Sequence, residues 1–212
     1  MPEKKVMIIG ASGHGKVIAD IIHQSGDQVM GFLDDDPTKK EIHQIPVLGK
    51  IEDTQKYKDD FCFIIGIGDN QIRKKIAERN PALNYYTAIH PTAVIGEGVR
   101  IGKGTAVMAG TVINADANIG EHCIINTSAV IEHECVIGDY THISPQACLC
   151  GNVYVGEECH VGAGATIINN QMIVKNTVIG AGCVVVTDLL ESGIYMGMPA
   201  SKSKYKKDIK EK

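Results

Sequence analysis

From Ile89 to Val185 an aliphatic residue recurs at every sixth position without a break: Ile89, Ile95, Ile101, Val107, Ile113, Ile119, Ile125, Ile131, Ile137, Ile143, Leu149, Val155, Val161, Ile167, Ile173, Ile179 and Val185. Four positions after each stands a second, mostly small residue. That series runs Ala93, Val99, Thr105, Thr111, Ala117, Cys123, Ala129, Cys135, Thr141, Ala147, Val153, Cys159, Ala165, Thr177 and Cys183, with Gln171 and Leu189 as departures. A period of six fits neither an amphipathic helix nor an alternating strand. It fits a solenoid of short strands joined by tight turns. Three hexads close one triangular coil, the aliphatic residue points into the prism, and the small residue sits near the corner. Residues 18 apart then stack, and seventeen hexads give nearly six coils.

Residues 1–86 carry no such repeat. Val6-Met-Ile-Ile9 reads as a buried strand, Gly10-Ala-Ser-Gly-His-Gly15 as a turn, and Lys16–His23 as a helix from its apolar spacing. A second strand, Val29–Leu33, ends in Asp34-Asp35-Asp36-Pro37; a third, Phe61–Gly68, leads into a helical stretch from Asn70 to Asn80. Strands alternating with helices predict a small Rossmann-like α/β domain with a parallel sheet. The expected organisation is therefore an α/β domain over 1–86, a solenoid over 87–190, and a C-terminal segment with a basic tail over 191–212.

Composition agrees with a narrow prism: 23 Gly, no Trp and only three Phe leave Ile, Val and Ala to fill the core. Glycine is expected at turns that need positive φ, and β-branched residues suit the strands. A formal charge of −4 gives no whole-chain case for nucleic-acid binding. No apolar run approaches the ~20 residues of a membrane span. The start, Met1-Pro-Glu-Lys-Lys5, turns polar too quickly for a signal peptide. Seven Cys with no CxxC pair point to a reduced, cytoplasmic chain. Cys123, Cys135, Cys159 and Cys183 are explained as small core residues.

Two places carry candidate chemistry. The Gly10–Gly15 loop lies between a strand and a helix, where backbone amides can hold phosphate. Its pattern is GxxGxG, and with about 85 residues in front of the repeat, one nucleotide fits better than two. A tight turn without a ligand fits the same glycines, but a turn has no need of the imidazole of His14. Asp34 follows the second strand, where an acidic residue can reach a ribose or base edge. In the hexads, His133 stands between Glu132 and Glu134. A carboxylate beside an imidazole raises its basicity and fixes its tautomer; a solvated corner would read the same way. His23, His43, His90 and His122 are expected at the surface, and His142 and His160, 18 apart, should stack.

The Gly10–Gly15 loop, Phe32-Leu-Asp-Asp35, Ile65-Gly-Ile-Gly-Asp-Asn70 and Asn126-Thr-Ser-Ala-Val-Ile-Glu-His-Glu-Cys-Val-Ile-Gly138 together resemble the hexapeptide-repeat nucleotide-sugar acetyltransferases, over roughly residues 5–201. That group includes the bacillosamine-pathway and perosamine N-acetyltransferases and the sialic acid O-acetyltransferases. The resemblance implies a left-handed parallel β-helix, a homotrimer with sites at subunit interfaces, and acetyl-CoA as co-substrate with no metal. It implies acetylation of a nucleotide-linked amino sugar, with a UDP-linked 4-amino sugar as the closest local match and GDP-perosamine or sialic acid as alternatives. By the same resemblance, His133 is the general base and Glu134 its support. His142 lies by the thioester, with Asn126 a hydrogen-bonding partner in the same cleft. Gly162, Ala163, Gly180 and Ala181 line acetyl-CoA, which the small residues of the corner admit to main-chain groups. Gly197-Met-Pro-Ala200 closes that groove, and Lys202, Lys204, Lys206 and Lys207 either meet a CoA phosphate or form a solvated end. The nucleotide sugar falls to Ser12, Gly13 and His14 at the phosphates, Asp34 and Asp35 at the nucleoside, and Gly68 at the base, its amine reaching His133 across a subunit boundary. A non-catalytic trimeric scaffold and a zinc enzyme of the γ-carbonic-anhydrase kind, using His133, His142 and His160, are the competing classes; Glu134 and the front domain favour acetyl transfer.

Overall fold

The computed structural model describes residues 3–203; the expected contributions of Lys204, Lys206 and Lys207 lie outside them. The front part runs β1 (Lys5–Ile9), α1 (Gly13–Gln24), β2 (Gln28–Leu33), β3 (Glu41–Ile42), β4 (Ile45–Gly49), a 3₁₀ turn (Ile51–Lys56), β5 (Cys62–Ile65) and α2 (Asn70–Arg79). The sheet order is β3-β4-β2-β1-β5. Its four longer strands are parallel and β3 pairs antiparallel with β4. The sequence pattern did not show β3 and β4. They form the sheet edge, where half-exposed positions and Pro46 blur the strand signal. α1 buries Ile18, Ala19, Ile21 and Ile22. α2 starts at an Asp69 cap, whose carboxylate accepts the Ile72 amide at 2.9 Å, and buries Arg73, Ile76 and Ala77.

Beyond it, seventeen two-residue strands, β6 to β22, run from Ala88–Ile89 to Val184–Val185 at six-residue spacing, each ending on a hexad aliphatic residue. They stack into three parallel sheets, the faces of a prism. The first face holds Val94–Ile95 and every third strand up to Val184–Val185. The second runs from Arg100–Ile101 to Met172–Ile173, and the third from Ala88–Ile89 to Val178–Ile179. β23 (Ile194–Met196) and β24 (Ser201–Lys202) extend the third face. Residues 18 apart are in register, as in Val94–Val112–Val130. From Val107 onward the hexad residues are buried, whereas Ile89 and Ile95 at the open end are 36% and 37% exposed.

The small positions do more than fill corners. Thr105 Oγ1 donates to the Gly120 carbonyl at 2.8 Å and Thr141 Oγ1 to that of Gly156 at 2.8 Å. Cys123 and Cys159 make the same contact with Gly138 and Val174 at 3.2 Å. Each donor thus reaches the carbonyl 15 residues on, which explains why Thr and Cys alternate there. Burial pushes the Cys123 thiol up to about 12 and those of Cys135 and Cys159 to about 11. These are inert core groups.

Glycine has a second use that the composition did not reveal. A left-handed residue occurs every six positions from 98 to 182, but only five of these fifteen are Gly; the other ten are Asp116, His122, Ser128, Glu134, Tyr140, Gln146, Asn152, Glu158, Asn170 and Asn176. Many remaining glycines instead allow coils to touch. A Cβ on Gly138 would lie 2.5 Å from the Glu157 nitrogen, and one on Gly102 2.5 Å from the Gly120 carbonyl carbon.

Candidate active site

The front sheet places its glycine loop at a topological switch. β1 is flanked by β2 and β5, so a crevice opens beyond the carboxyl ends of the strands. Gly10 (φ 107°) turns the chain, and Gly15 sits where a Cβ would strike the Gly10 carbonyl oxygen. Ser12 and Gly13 are exposed at the start of α1, and space beside Gly13 is open. Asp34 braces this loop. Its carboxylate accepts the Ala11 amide at 2.7 Å and the Asp36 amide at 2.9 Å, and pairs with Lys39 at 3.0 Å. Desolvation pushes its pKa up, but these hydrogen bonds outweigh it and hold the group below the usual carboxylate range. Asp35 accepts the Ile51 amide at 3.0 Å and borders an open cavity of about 470 Å³ with Lys50, Glu52, Arg79 and Asn80.

His14, the second residue of α1, meets the third face of the prism. Outward-facing Ala88, Ala106 and Ile124 of that face pack with Ile18, Ile22 and Tyr86 of the front part. The next outward residues in the column are His142 and His160, paired in register with ring centroids 4.8 Å apart. Asn126 Nδ2 lies 3.0 Å from His142 Nε2. The Asn126 oxygen already accepts the Thr127 amide at 2.8 Å, so its nitrogen must donate. Nε2 of His142 is therefore the acceptor, and a neutral ring carries its proton on Nδ1. The Nε2 of His14 is buried without a hydrogen-bond partner, and the His142 Nδ1, also buried, has only the Gly68 backbone to face. Burial lowers the His142 pKa to about 3, helped by His160, Arg73 and His14 and opposed by the Gly68 backbone. Burial, then Arg73, lowers that of His14 to about 4. Two neutral imidazoles, with the His14 Nε2 unpaired, thus line one crevice between the front part and the coils.

His133 and Glu134 stand elsewhere, at the corner between the first and second faces, after Val130–Ile131 and before Val136–Ile137. In a three-sided prism that corner is opposite the third face, which carries His142. His133 is 59% exposed, and its Nδ1 lies 3.1 Å from Glu134 Oε2. The carboxylate accepts a hydrogen bond from Nδ1–H, which keeps the proton on that nitrogen and leaves the Nε2 lone pair for chemistry. The imidazole rests on Gly151, one coil on, where a Cβ would sit 2.5 Å from Nε2. At the corner between the third and first faces, Ala163 and Ala181 are exposed one coil apart, and the Gly182 amide donates to the Ala163 carbonyl at 2.8 Å. Gly162 was expected to expose its backbone there but is buried; a Cβ on it would meet the Ala181 nitrogen at 2.5 Å, so it serves coil contact. Gly180 packs under Met196 and Tyr195. Lys202 pairs with Glu191 at 2.7 Å.

Two histidines expected at the surface are buried, His90 at 7% exposed and His122 at 2%. His122 sits under the front part, edge-on to Tyr85 and stacked on Tyr140. Burial, with Arg73 and Lys103, lowers its pKa to about 4. Arg73 and Gly151 were missed as well. Gly151 could have been found 18 residues after His133, and Arg73 by its place on the stripe of Ile76 and Ala77. Among the described residues, no group of three or more His, Cys, Asp or Glu is placed to hold a metal ion, and no helix is long and apolar enough to cross a membrane.

Against known proteins, residues 5–80 match the PglD N-terminal domain, and residues 116–149 and 134–169 match the bacterial transferase hexapeptide family (six repeats). A mutant perosamine N-acetyltransferase from Caulobacter crescentus, solved with CoA and GDP-perosamine, is 39% identical, with a TM-score of 0.90 over 94% of this chain and 96% of that one. The chain belongs to the hexapeptide-repeat nucleotide-sugar N-acetyltransferases. Within this family, the acetyltransferase domain of PglB from Neisseria gonorrhoeae FA1090, solved with acetyl coenzyme A, is 34% identical, with a TM-score of 0.89 over 95% of this chain and all (100%) of that one. The UDP-N-acetylbacillosamine N-acetyltransferase of Bacillus subtilis (strain 168) is 40% identical over 113 residues, 50% of this chain and 52% of the relative, so the match spans about half that enzyme's length. The family's two parts, α/β front and repeat, are thus both present in this chain.

Proposed function

We propose that the protein transfers the acetyl group of acetyl-CoA to the amino group of a nucleotide-linked sugar, with His133 as general base. The observation that carries this is the His133–Glu134 pair at 3.1 Å, an imidazole whose tautomer is set for proton abstraction at Nε2. The amine loses its proton to Nε2 as its nitrogen attacks the thioester carbon, and the CoA thiolate leaves. His133 gains a positive charge in that step and Glu134 stabilises it. A thioester needs no further activation, and the buried, high-pKa cysteines offer no nucleophile for an acetyl-enzyme.

The nucleotide sugar is assigned to the crevice of Ser12, Gly13, His14 and Gly68, with Asp34 shaping the loop and Asp35 towards the nucleoside. Acetyl-CoA is assigned to the corner of Ala163 and Ala181, with His142 and Asn126 on the adjoining face. Because His133 and His142 occupy opposite sides of one prism, a complete site takes His133 from one copy and the His142 crevice from another, as a homotrimer would supply. Two acceptors have support: a UDP-linked 4-amino sugar, from the Bacillus enzyme's name, and GDP-perosamine, from the Caulobacter structure of near full-length likeness. A thiol-release assay with UDP-, GDP- and CMP-linked amino sugars separates them. Coenzyme A release with one amino-sugar nucleotide, and none with its hydroxyl counterpart, is the expected result; release with none of the panel contradicts the proposal.

A further inference from the structure

Arg73 is 1% exposed, and among the described residues no carboxylate lies within ion-pair distance of it. All five of its donors are spent on neutral oxygens. Nε donates to the His122 carbonyl at 2.7 Å, Nη1 to Ile67 and Gly68 at 3.0 and 3.1 Å, and Nη2 to Asn70 Oδ1 and the Tyr140 carbonyl at 2.7 and 2.8 Å. Asp69 at the α2 cap acts on it only through space; burying a charge without a direct ion pair opposes folding, so packing alone does not account for an arginine here. Its contacts fall on both sides of the crevice. Ile67 and Gly68 belong to the front part, and the Gly68 backbone faces the His142 ring. Tyr140 stands two residues before His142 in the same coil. Asn70 continues the bridge, its Nδ2 donating to the Cys159 carbonyl at 2.9 Å beside His160.

We propose that Arg73 is a positioning residue, which locks the Gly68 loop and α2 of the front part onto the His142 coil so that His14 and His142 face one crevice in a fixed geometry. The kinetic part of this rests on the acetyl-transfer function above; the geometric part does not. A fixed cation beside two imidazoles disfavours their protonation, so the arrangement has a signature apart from stability. The groups facing His142 are His160 on the neighbouring strand, His14 on α1, Arg73 on α2, the Gly68 backbone and Asn126; Arg73 and His142 face His14.

The test is an NMR titration of the histidine Cε1–H signals without substrate, in the wild type, Arg73→Gln and Asn70→Asp, with His14→Gln and His142→Gln used to assign the signals. Asn70→Asp keeps the arginine and gives it a carboxylate, so it stands in if Arg73→Gln does not fold. In the wild type both imidazoles stay neutral down to about pH 5, and each variant raises both midpoints by roughly one unit or more. Arg73→Gln also lowers kcat/KM for the nucleotide sugar about tenfold or more, with the KM for acetyl-CoA within about twofold. Unchanged midpoints in both variants, or an unchanged kcat/KM, overturn the proposal. If the wild type transfers no acetyl group, the titration alone decides the placement of Arg73, so the two failures remain distinct.

Discussion

His133 is more than half exposed and touches little beyond Glu134 and the Gly151 backbone, so its removal leaves the coils intact. His133→Ala is expected to lower kcat about 10²–10⁴-fold, the usual size of a lost general base, with an unchanged melting curve. Glu134→Gln keeps the shape and removes the charge, and belongs between wild type and His133→Ala. His122 makes the opposite prediction, since it is buried and outside the chemistry. Its folded pKa of about 4 lies below the ordinary 6.5, so the unfolded chain binds the extra proton between those values. Stability from this group is complete above pH 6.5 and lost as pH falls towards 4, at up to ~1.4 kcal/mol per pH unit. His14 and His142 act with the same sign. Urea midpoints at pH 7 and pH 5 measure the loss, and His122→Asn, which tolerates the left-handed backbone, should reduce it, leaving the share of His14 and His142.

The hexad is the element at which sequence and structure correspond most closely, and it separates two kinds of glycine. Gly164 has φ 64° with open space around a Cβ, and Asn fills the equivalent positions 170 and 176. Gly164→Asn should therefore shift stability by no more than about 0.5 kcal/mol. Gly138→Ala forces a methyl group against the Glu157 backbone and should cost about 1–3 kcal/mol in chemical denaturation. Equal effects would contradict the distinction. The seventeen strands were legible because every coil repeats the same constraint, so a weak signal is written many times over. β3 and β4 were not, being a short edge pair read only once. His133 and Glu134 were legible as neighbours in the chain. Arg73 was not, because the oxygens it serves in the coils lie 49 and 67 residues away, and its flanking Lys74 and Lys75 make it look solvated.

At the scale of the whole molecule, the fold divides the machinery. The front part and the third face bring Gly68, His14, Asn126 and His142 into one crevice, while the repeat carries His133 and Glu134 round to the opposite corner. On the proposed function, a single chain holds two halves of two different sites, which must be joined between copies. Mixed assemblies test this directly. His133→Ala and His142→Gln chains, each inactive or nearly so alone, are unfolded together and refolded at equal amounts. Where each site draws its two halves from neighbouring copies, about a quarter of the sites receive both intact residues by chance. The predicted result is coenzyme A release recovering to roughly a quarter of the wild-type rate; a mixture no more active than the sum of its two components would contradict it.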